Sequence, residues 1–230
     1  MQIIENIQII RDRIHNACFK SGRHIDDVNL MAVSKFQAFA KIEEALRGGI
    51  KLFGESRIQE AKEKFTGFKR VTPEIEVHFI GNLQRNKAKA AVSLFDCIQS
   101  VDRESLIDEL GVLSARKNIS LKILFELHTG EETKSGFPDE EGLFKACERL
   151  LSYPYLIPAG LMTMAPYTND ESRIRASFRA LVSARNKLES RFPSYDWSCL
   201  SMGMSNDFEI AIEEGSTLLR IGSAIFNDEL

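Results

Sequence analysis

Short apolar runs alternate with longer amphipathic stretches along nearly the whole chain. The runs are rich in the branched and aromatic side chains that fill buried strands. In chain order they read LMAVS, KLFG, VHFIG, CIQSV, KILFELH, PAGLMTM, CLSMG and TLLRIG, and they begin at Leu30, Lys51, Val77, Cys97, Lys122, Pro158, Cys199 and Thr217. This pattern predicts eight strands.

Helical periodicity occupies the gaps between the predicted strands. The clearest helical stretches cover residues 40–49, 103–117, 140–152 and 170–192. A further amphipathic helix precedes the first strand and ends before Gly22, which is a helix-stop signal. The apolar stripe of this helix consists of Ile3, Ile7, Ile10 and Ile14.

The alternation of strands and helices indicates the fold class. Eight strand–helix units are the number that closes a (β/α)8 barrel, and near-continuous apolar strands are typical of a parallel sheet covered by helices. We therefore predict an α/β protein: a single TIM barrel domain over residues 1–230, with an extra N-terminal helix. A doubly wound open sheet is the alternative, because periodicity does not establish closure.

Composition and charge narrow the possible partners. Hydrophobic residues make up 43% of the 230-residue chain and charged residues 27%, which is ordinary for a soluble globular protein. A net charge of −3 offers no basic surface to nucleic acid. The basic cluster Arg85, Lys87 and Lys89 in QRNKAKAA is therefore interpreted as a solvated helix face.

The N-terminal segment and the cysteines predict a cytoplasmic protein. Glu5 and Arg11 interrupt the first apolar stretch, which argues against both a signal peptide and a membrane anchor. The four cysteines are far apart and form no CxxC pair, so free thiols in a reducing compartment are expected. No spacing of histidines and cysteines indicates a metal site, and we expect a monomer.

The first predicted strand, in the sequence NLMAVSKF, ends immediately before Lys35. A lysine in this position usually extends its amine into water. An amine held against apolar walls is instead disfavoured as an ammonium ion and becomes a nucleophile toward aldehydes. Because active groups of a barrel lie at the C-terminal ends of its strands, Lys35 is a candidate for forming a Schiff base.

The segments after the seventh and eighth predicted strands are rich in small residues. These residues are Ser201, Gly203 and Ser205 in LSMGMSNDFEIAI, and Gly222 and Ser223 in RIGSAIF. Ser205 or Asn206 can cap the helix that follows the seventh strand. Two neighbouring helix starts with free N–H groups predict a phosphate site, and a pair of tight capped turns is the alternative.

Arg220 lies within the eighth predicted strand, which neighbours the first strand in a closed barrel. Its guanidinium is always charged and only donates hydrogen bonds. A salt bridge to Glu126 or Glu55 is the structural alternative. A Schiff-base lysine, a phosphate site and an arginine together predict a pocket for pyridoxal 5′-phosphate (PLP). Arginine at the pyridine nitrogen would keep that nitrogen unprotonated.

These motifs resemble those of the PLP homeostasis proteins, single-domain relatives of the alanine racemase barrel. The resemblance runs from Leu30 to Phe226 and is carried by MAVSK, FGESRIQEAKEKF, VHFIGNLQRNKAK, ETKSGF, GLMTMAP and LSMGMSNDFEIAIEEGSTLLRIGSAIF. It implies a fold-type III PLP barrel with the cofactor linked to Lys35 and Arg220 at the pyridine nitrogen. It also implies that Ser201, Gly222 and Ser223 surround the phosphate. Members of this family resemble cytosolic PLP carriers that act in vitamin B6 homeostasis.

Two residues depart from the family pattern, and a further group of residues has two possible interpretations. Ser56 stands where the family usually has Asn after FGE, and His128 stands where many members have Asn. The resemblance implies that Ser56 alters one polar contact near the cofactor and that His128 changes the polarity of the barrel mouth. Lys134, Ser135 and Gly136 either contact phosphate or substrate, or form a solvated glycine turn.

The sequence favours a PLP-binding protein over an enzyme. The alternatives are a weak PLP-dependent amino-acid racemase and a Schiff-base aldolase of a phosphorylated substrate. Racemisation needs an acid/base group on each face of the substrate, and only Lys35 is an obvious one. The tyrosines fall in predicted loops and helices, and we expect no second domain. Expected partners are PLP and the apo PLP-dependent enzymes that would receive it.

Overall fold

The computed structural model describes residues 2–130 and 135–227. In this part of the chain, eight parallel strands pair in sequence order and close into a barrel. The strands are β1 Asn29–Val33, β2 Leu52–Glu55, β3 Glu76–Phe79, β4 Cys97–Val101, β5 Leu121–Glu126, β6 Leu156–Met162, β7 Cys199–Ser201 and β8 Leu218–Ile221. β8 pairs with β1, so the predicted barrel is confirmed and the open sheet is wrong.

Helices follow the strands and cover the barrel. They are α1 Gln2–Lys20, α2 Phe39–Arg47, α3 Ile58–Val71, α4 Ala88–Leu94, α5 Glu104–Lys117, α6 Glu140–Leu150, α7 Glu171–Arg191, α8 Phe208–Glu213 and α9 Ser223–Phe226. A continuous apolar core lies between the barrel and these helices. Within the described residues, every helix is too short or too polar to cross a bilayer.

The predicted N-terminal helix is present as α1 and closes the outside of the barrel. Its four predicted isoleucines are buried, and it contacts α2, α8 and α9. Burial of each isoleucine contributes about 2 kcal/mol, so docking rather than helix propensity stabilises α1. The Asn6 amide also donates to the carbonyls of Ile225 (3.0 Å) and Asn227 (3.2 Å). α1 therefore fixes the segment that follows β8.

Candidate functional site

Lys35 lies in a turn directly after β1, at the C-terminal end of the barrel. The Gln37 N–H donates to the Ser34 carbonyl (3.1 Å), and Phe36 has a left-handed φ of 64°. The chain thus reverses immediately after the lysine. Lys35 itself is exposed, so the apolar enclosure expected around its amine is absent from the described part of the chain.

Arg220 points into the barrel interior from β8. Only 4% of the residue is exposed, and its backbone is paired with Met31 of β1. Its Nη1 donates to Ser201 O (2.6 Å) and Ser201 Oγ (2.8 Å), while Nη2 donates to Thr163 O (2.8 Å). These three acceptors are neutral oxygens in the barrel interior, beneath the barrel mouth.

A chain of hydrogen bonds crosses the interior from β7 to β3. Ser201 Oγ donates to Gln99 Oε1 (2.7 Å), and Gln99 Nε2 contacts His78 Nδ1 (2.8 Å). Because an amide N–H₂ only donates, His78 Nδ1 accepts and the ring proton lies on Nε2. His78 Nε2 faces Glu76 Oε2 at 3.3 Å, and this contact lowers the pKa of Glu76.

Two of these residues show what strand periodicity reveals about the barrel interior. His78 lies in the apolar run VHFIG, and both of its ring nitrogens have hydrogen-bond partners. Gln99 was missed as a site residue. The available signal was an amide side chain at the centre of the apolar run CIQSV, because buried polar groups need partners.

Ser201 and Ser205 occupy different environments. Ser201 is fully buried, and its hydroxyl donates to Gln99 and accepts from Arg220 inside the barrel. Ser205 lies on the loop after β7, where its Oγ accepts from the Ala224 N–H at 3.3 Å. The serine that reaches the start of α9 is therefore Ser205, whereas Ser201 was the one predicted around the phosphate.

The start of the helix after β7 also differs from the prediction. α8 begins at Phe208, preceded by Asp207, and no side chain among the described residues caps its first turn. Asp207 Oδ1 accepts from the Met204 N–H (2.6 Å), which fixes the loop that carries Ser205. The capping prediction for Ser205 and Asn206 is therefore wrong.

Gly222 and Ser223 lie beside the end of β1. Gly222 directly follows β8, and a Cβ built on it would lie 3.4 Å from both Val33 Cβ and Val33 O. Ser223 is exposed at the first position of α9. Lys35 follows Val33 by two residues, so Lys35, Gly222, Ser223 and Ser205 share one side of the rim. This is the candidate site.

The loops after β2 and β5 lie on the same end of the barrel. A Cβ on Gly81 would lie 2.4 Å from Ser56 O, so the loop after β3 packs directly on Ser56. Ser135 Oγ donates to Glu126 Oε1 (2.5 Å), and the His128 N–H donates to Phe137 O (2.9 Å). Lys134 lies outside the described residues.

Two large cavities of the described chain lie at opposite ends of the barrel. One, of about 870 Å³, is lined by the starts of the strands, including Asn29, Leu52 and Glu76. The other, of about 800 Å³, is lined by the loops after β6 and β7, including Tyr167 and Ser205. The second matters for the candidate site, because barrel chemistry lies at the C-terminal ends of the strands.

Glu55 is a buried carboxylate at the end of β2. Its Oε1 accepts from Ser34 Oγ (2.7 Å) and from Lys64 Nζ (3.0 Å). Its Oε2 has no hydrogen-bond partner among the described residues. Burial raises the pKa of the Glu55 carboxyl, and the hydrogen bond from Ser34 and the charge of Lys64 act in the opposite direction.

This raised pKa predicts a pH-dependent effect of Glu55→Gln on stability. The folded state binds the Glu55 proton more tightly than the unfolded chain, whose glutamate titrates near pH 4.3. The stabilising contribution of the protonated Glu55 to the free energy of unfolding is therefore complete below about pH 4.3, and it decreases as pH rises through the folded-state pKa. The wild type should therefore lose stability relative to Glu55→Gln as pH rises from about 4 through the folded-state pKa. Urea unfolding across this range measures the difference.

The control for this experiment is Glu63→Gln, because Glu63 is exposed on α3. This variant reports the effect of replacing an exposed carboxylate by an amide. A stability difference between Glu55→Gln and the wild type that does not vary with pH would contradict the raised pKa of Glu55.

Comparisons with known proteins agree on one family. The family model described as alanine racemase, N-terminal domain, matches residues 2–229. The pyridoxal phosphate homeostasis protein of Aquifex aeolicus is 36% identical over 228 residues, covering 99% of both chains. That of Haemophilus influenzae is 35% identical over 227 residues, covering 98% of this chain and 95% of the relative.

A solved structure supports the same relationship. PipY of Synechococcus elongatus, determined with PLP bound, superposes with a TM-score of 0.86 at 31% identity. The match covers 98% of this chain and 100% of PipY. Alanine racemase from Bacillus anthracis, at 16% identity and a TM-score of 0.73, is similar in fold alone.

Proposed function

Because this chain belongs to the pyridoxal phosphate homeostasis proteins, which share the alanine racemase N-terminal domain, we propose that it binds PLP and acts in intracellular vitamin B6 homeostasis. The observation that carries the proposal is the pairing of β8 with β1. This pairing brings the buried Arg220 and the Gly222–Ser223 loop next to the strand that ends before Lys35.

Lys35 is the amine that we propose to hold PLP as a Schiff base. Condensation of its neutral amine with an aldehyde forms one C=N bond and releases one water molecule. Lys64, a second lysine near this turn, donates its Nζ to Ser34 O (2.7 Å), to Glu55 (3.0 Å) and to Glu60. All three hydrogens of that ammonium have acceptors, so Lys64 is not available for the aldehyde.

The phosphate of PLP would bind at the rim formed by the last two strand–helix loops. Gly222, Ser223 and Ser205 are the residues that we assign to it. Exposed backbone N–H groups and hydroxyls are the donors that a phosphate needs, and Ser205 contacts the loop of Ser223 directly through the Ala224 N–H. We assign Ser205 to the phosphate in place of the predicted Ser201, because the Ser201 hydroxyl already contacts Gln99 and Arg220 inside the barrel. The assignment of Ser201 stays an untested prediction.

Arg220 would contact the pyridine nitrogen from the barrel interior. A guanidinium cannot accept a proton and does not release one at physiological pH, so a nitrogen facing it stays unprotonated. An unprotonated ring is a weak electron sink. This favours a binding or carrier role for the protein over efficient amino-acid chemistry.

The enzyme alternatives differ from a carrier in measurable ways. A racemase needs a second acid/base group. Among the described tyrosines, Tyr167 lines the cavity of about 800 Å³ at the loops after β6 and β7. Tyr153 and Tyr155 instead donate hydrogen bonds to Asp108 and Asn118, respectively. Amino-acid turnover that saturates and is lost in Lys35→Ala would favour the racemase. A colourless protein that cleaves a phosphorylated sugar would favour the aldolase.

The experiment that tests the proposal is an absorption spectrum of the purified full chain with PLP, followed by borohydride reduction. We expect visible absorbance from the Schiff base, its loss on reduction, and one PLP-derived mass on Lys35. An unmodified Lys35 would overturn the proposal. The recipient apoenzymes, the monomeric state and the cytoplasmic location stay predictions.

Serine substitutions separate the phosphate site from the barrel network. Ser205→Ala should weaken PLP binding about tenfold, because it removes one hydrogen bond to a charged group. Ser201→Ala should change PLP affinity little but destabilise the fold by about 1–3 kcal/mol, because the buried Gln99 Oε1 loses its donor. PLP titration and urea unfolding measure the two effects. The opposite pattern would return Ser201 to the phosphate site.

A further inference from the structure

The turn that carries Lys35 is bound by a charged cluster that we call the turn clamp, which consists of Glu55, Glu60 and Lys64. Glu55 ends β2, while Glu60 and Lys64 lie one helical turn apart on α3. The exposed fractions of their side chains are 0%, 20% and 9%, respectively. The clamp is therefore largely enclosed, although it lies next to an exposed lysine.

The clamp binds the chain on both sides of Lys35. Before the lysine, Ser34 Oγ donates to Glu55 Oε1 (2.7 Å), and Ser34 O accepts from Lys64 Nζ (2.7 Å). After the lysine, the Phe36 N–H donates to Glu60 Oε1 at 2.5 Å. Lys64 Nζ also donates to both carboxylates, so the two flanks share one connected set of hydrogen bonds.

Phe36 explains why this turn needs external support. Its φ of 64° lies in the left-handed region, which a bulky residue without local compensation seldom occupies. Such a conformation persists where surrounding contacts determine it. The hydrogen bond from Phe36 N–H to Glu60 is one such contact, and the Arg57 guanidinium, 4.6 Å above the Phe36 ring centre, is another.

We propose that Lys64 and Glu60 are positioning residues that hold the Lys35 amine in the orientation in which PLP is bound. The inference rests on the proposed function, because it assumes that Lys35 receives the aldehyde. Among the described residues, Lys35 makes no hydrogen bond or ion pair of its own that would fix it. The conformation of its two neighbours therefore decides where the amine points, and correct orientation raises the rate of a bimolecular step.

The first part of the test uses the full chain without PLP. Amide hydrogen exchange at Phe36 is measured in the wild type, Glu60→Ala and Glu60→Gln, with Glu63→Ala on the same helix as the matched control. Glu60→Ala should speed exchange about tenfold, because the amide loses its acceptor. Glu60→Gln keeps a carbonyl oxygen and should restore protection, and Glu63→Ala should match the wild type. Unchanged exchange in Glu60→Ala would show that the clamp does not hold the turn.

The second part measures the rate of covalent attachment, trapped with borohydride, after PLP is added to the same variants. Glu60→Ala should slow attachment to Lys35 about fivefold and spread the label to other lysines, with recovery in Glu60→Gln. Lys64→Met should have the larger effect, and Lys64→Arg should recover part of it, with Lys62→Met as the exposed control. Because Lys64→Met leaves Glu55 buried without a cation, the Glu60 pair keeps the test decisive if that variant does not fold.

The outcomes separate this inference from the proposed function. A wild type that traps no PLP on Lys35 would overturn the proposed function, and the hydrogen-exchange result would still report on the turn. A wild type that is labelled normally, together with wild-type attachment in Glu60→Ala, would overturn the inference alone. Faster exchange with slower, less selective attachment supports both.

Discussion

Lys35→Ala is expected to abolish covalent attachment of PLP, with at least a ~100-fold loss of borohydride-trapped product. The substitution removes the amine that forms the C=N bond, and Lys64 cannot replace it, because its hydrogens are bound to Ser34, Glu55 and Glu60. The measurement is peptide mapping by mass spectrometry after reduction, with the absorption spectrum recorded beforehand.

Two further variants show whether the chemistry or the charge of Lys35 matters. Lys35→Arg keeps a cation at the rim, but a guanidinium is not a nucleophile at neutral pH, so attachment should be lost as in Lys35→Ala. Lys62→Ala, at an exposed position of α3, should behave as the wild type. Full attachment in Lys35→Arg would mean that another amine carries the cofactor.

Arg220→Met is expected to destabilise the protein by about 3 kcal/mol. The substitution leaves Thr163 O without its guanidinium donor in a buried position and removes the contacts to Ser201. Arg220→Lys should cost less, about 1–2 kcal/mol, because an ammonium keeps the charge but cannot reproduce the planar set of donors. Urea unfolding measures both, and Arg116→Met at an exposed site serves as the control.

The same arginine variants should change the spectrum of bound PLP. If Arg220 faces the pyridine nitrogen, Arg220→Lys should shift the visible absorbance while the covalent link to Lys35 persists. Arg220→Glu is a less suitable substitution for this spectral test, because the glutamate carboxylate would lie against the carbonyls of Ser201 and Thr163. An unchanged spectrum in a folded Arg220→Lys protein would show that Arg220 does not contact the pyridine nitrogen.

The distances along the chain explain why the sequence revealed some site residues and not others. Lys35, Gly222 and Ser223 could be selected because each lies at or directly after the end of a predicted strand, and a barrel brings strand ends together. The partners of the turn clamp are 21 residues apart for Ser34 and Glu55, and 30 for Ser34 and Lys64. Such pairs depend on the way α3 packs against the barrel, which periodicity does not contain.

The choice between Ser201 and Ser205 also depends on tertiary structure, although these two residues are close together in the sequence. Both serines lie in LSMGMS, and both are small residues after an apolar run. The register of β7 against β6 pairs Ser201 with Met162 and leaves Ser205 on the following loop. Only this register decides which hydroxyl is enclosed and which reaches the rim.

By itself, the sequence determined the eight strands with helices between them, the amphipathic N-terminal helix and the lysine at the end of β1. These features follow from hydrophobic periodicity, which is a local property of the chain. The tertiary structure decided the contacts of Arg220, the hydrogen-bond chain through Gln99 to Glu76, and the clamp around Lys35. Those contacts join residues far apart in the chain, and their geometry is set by strand register and helix packing.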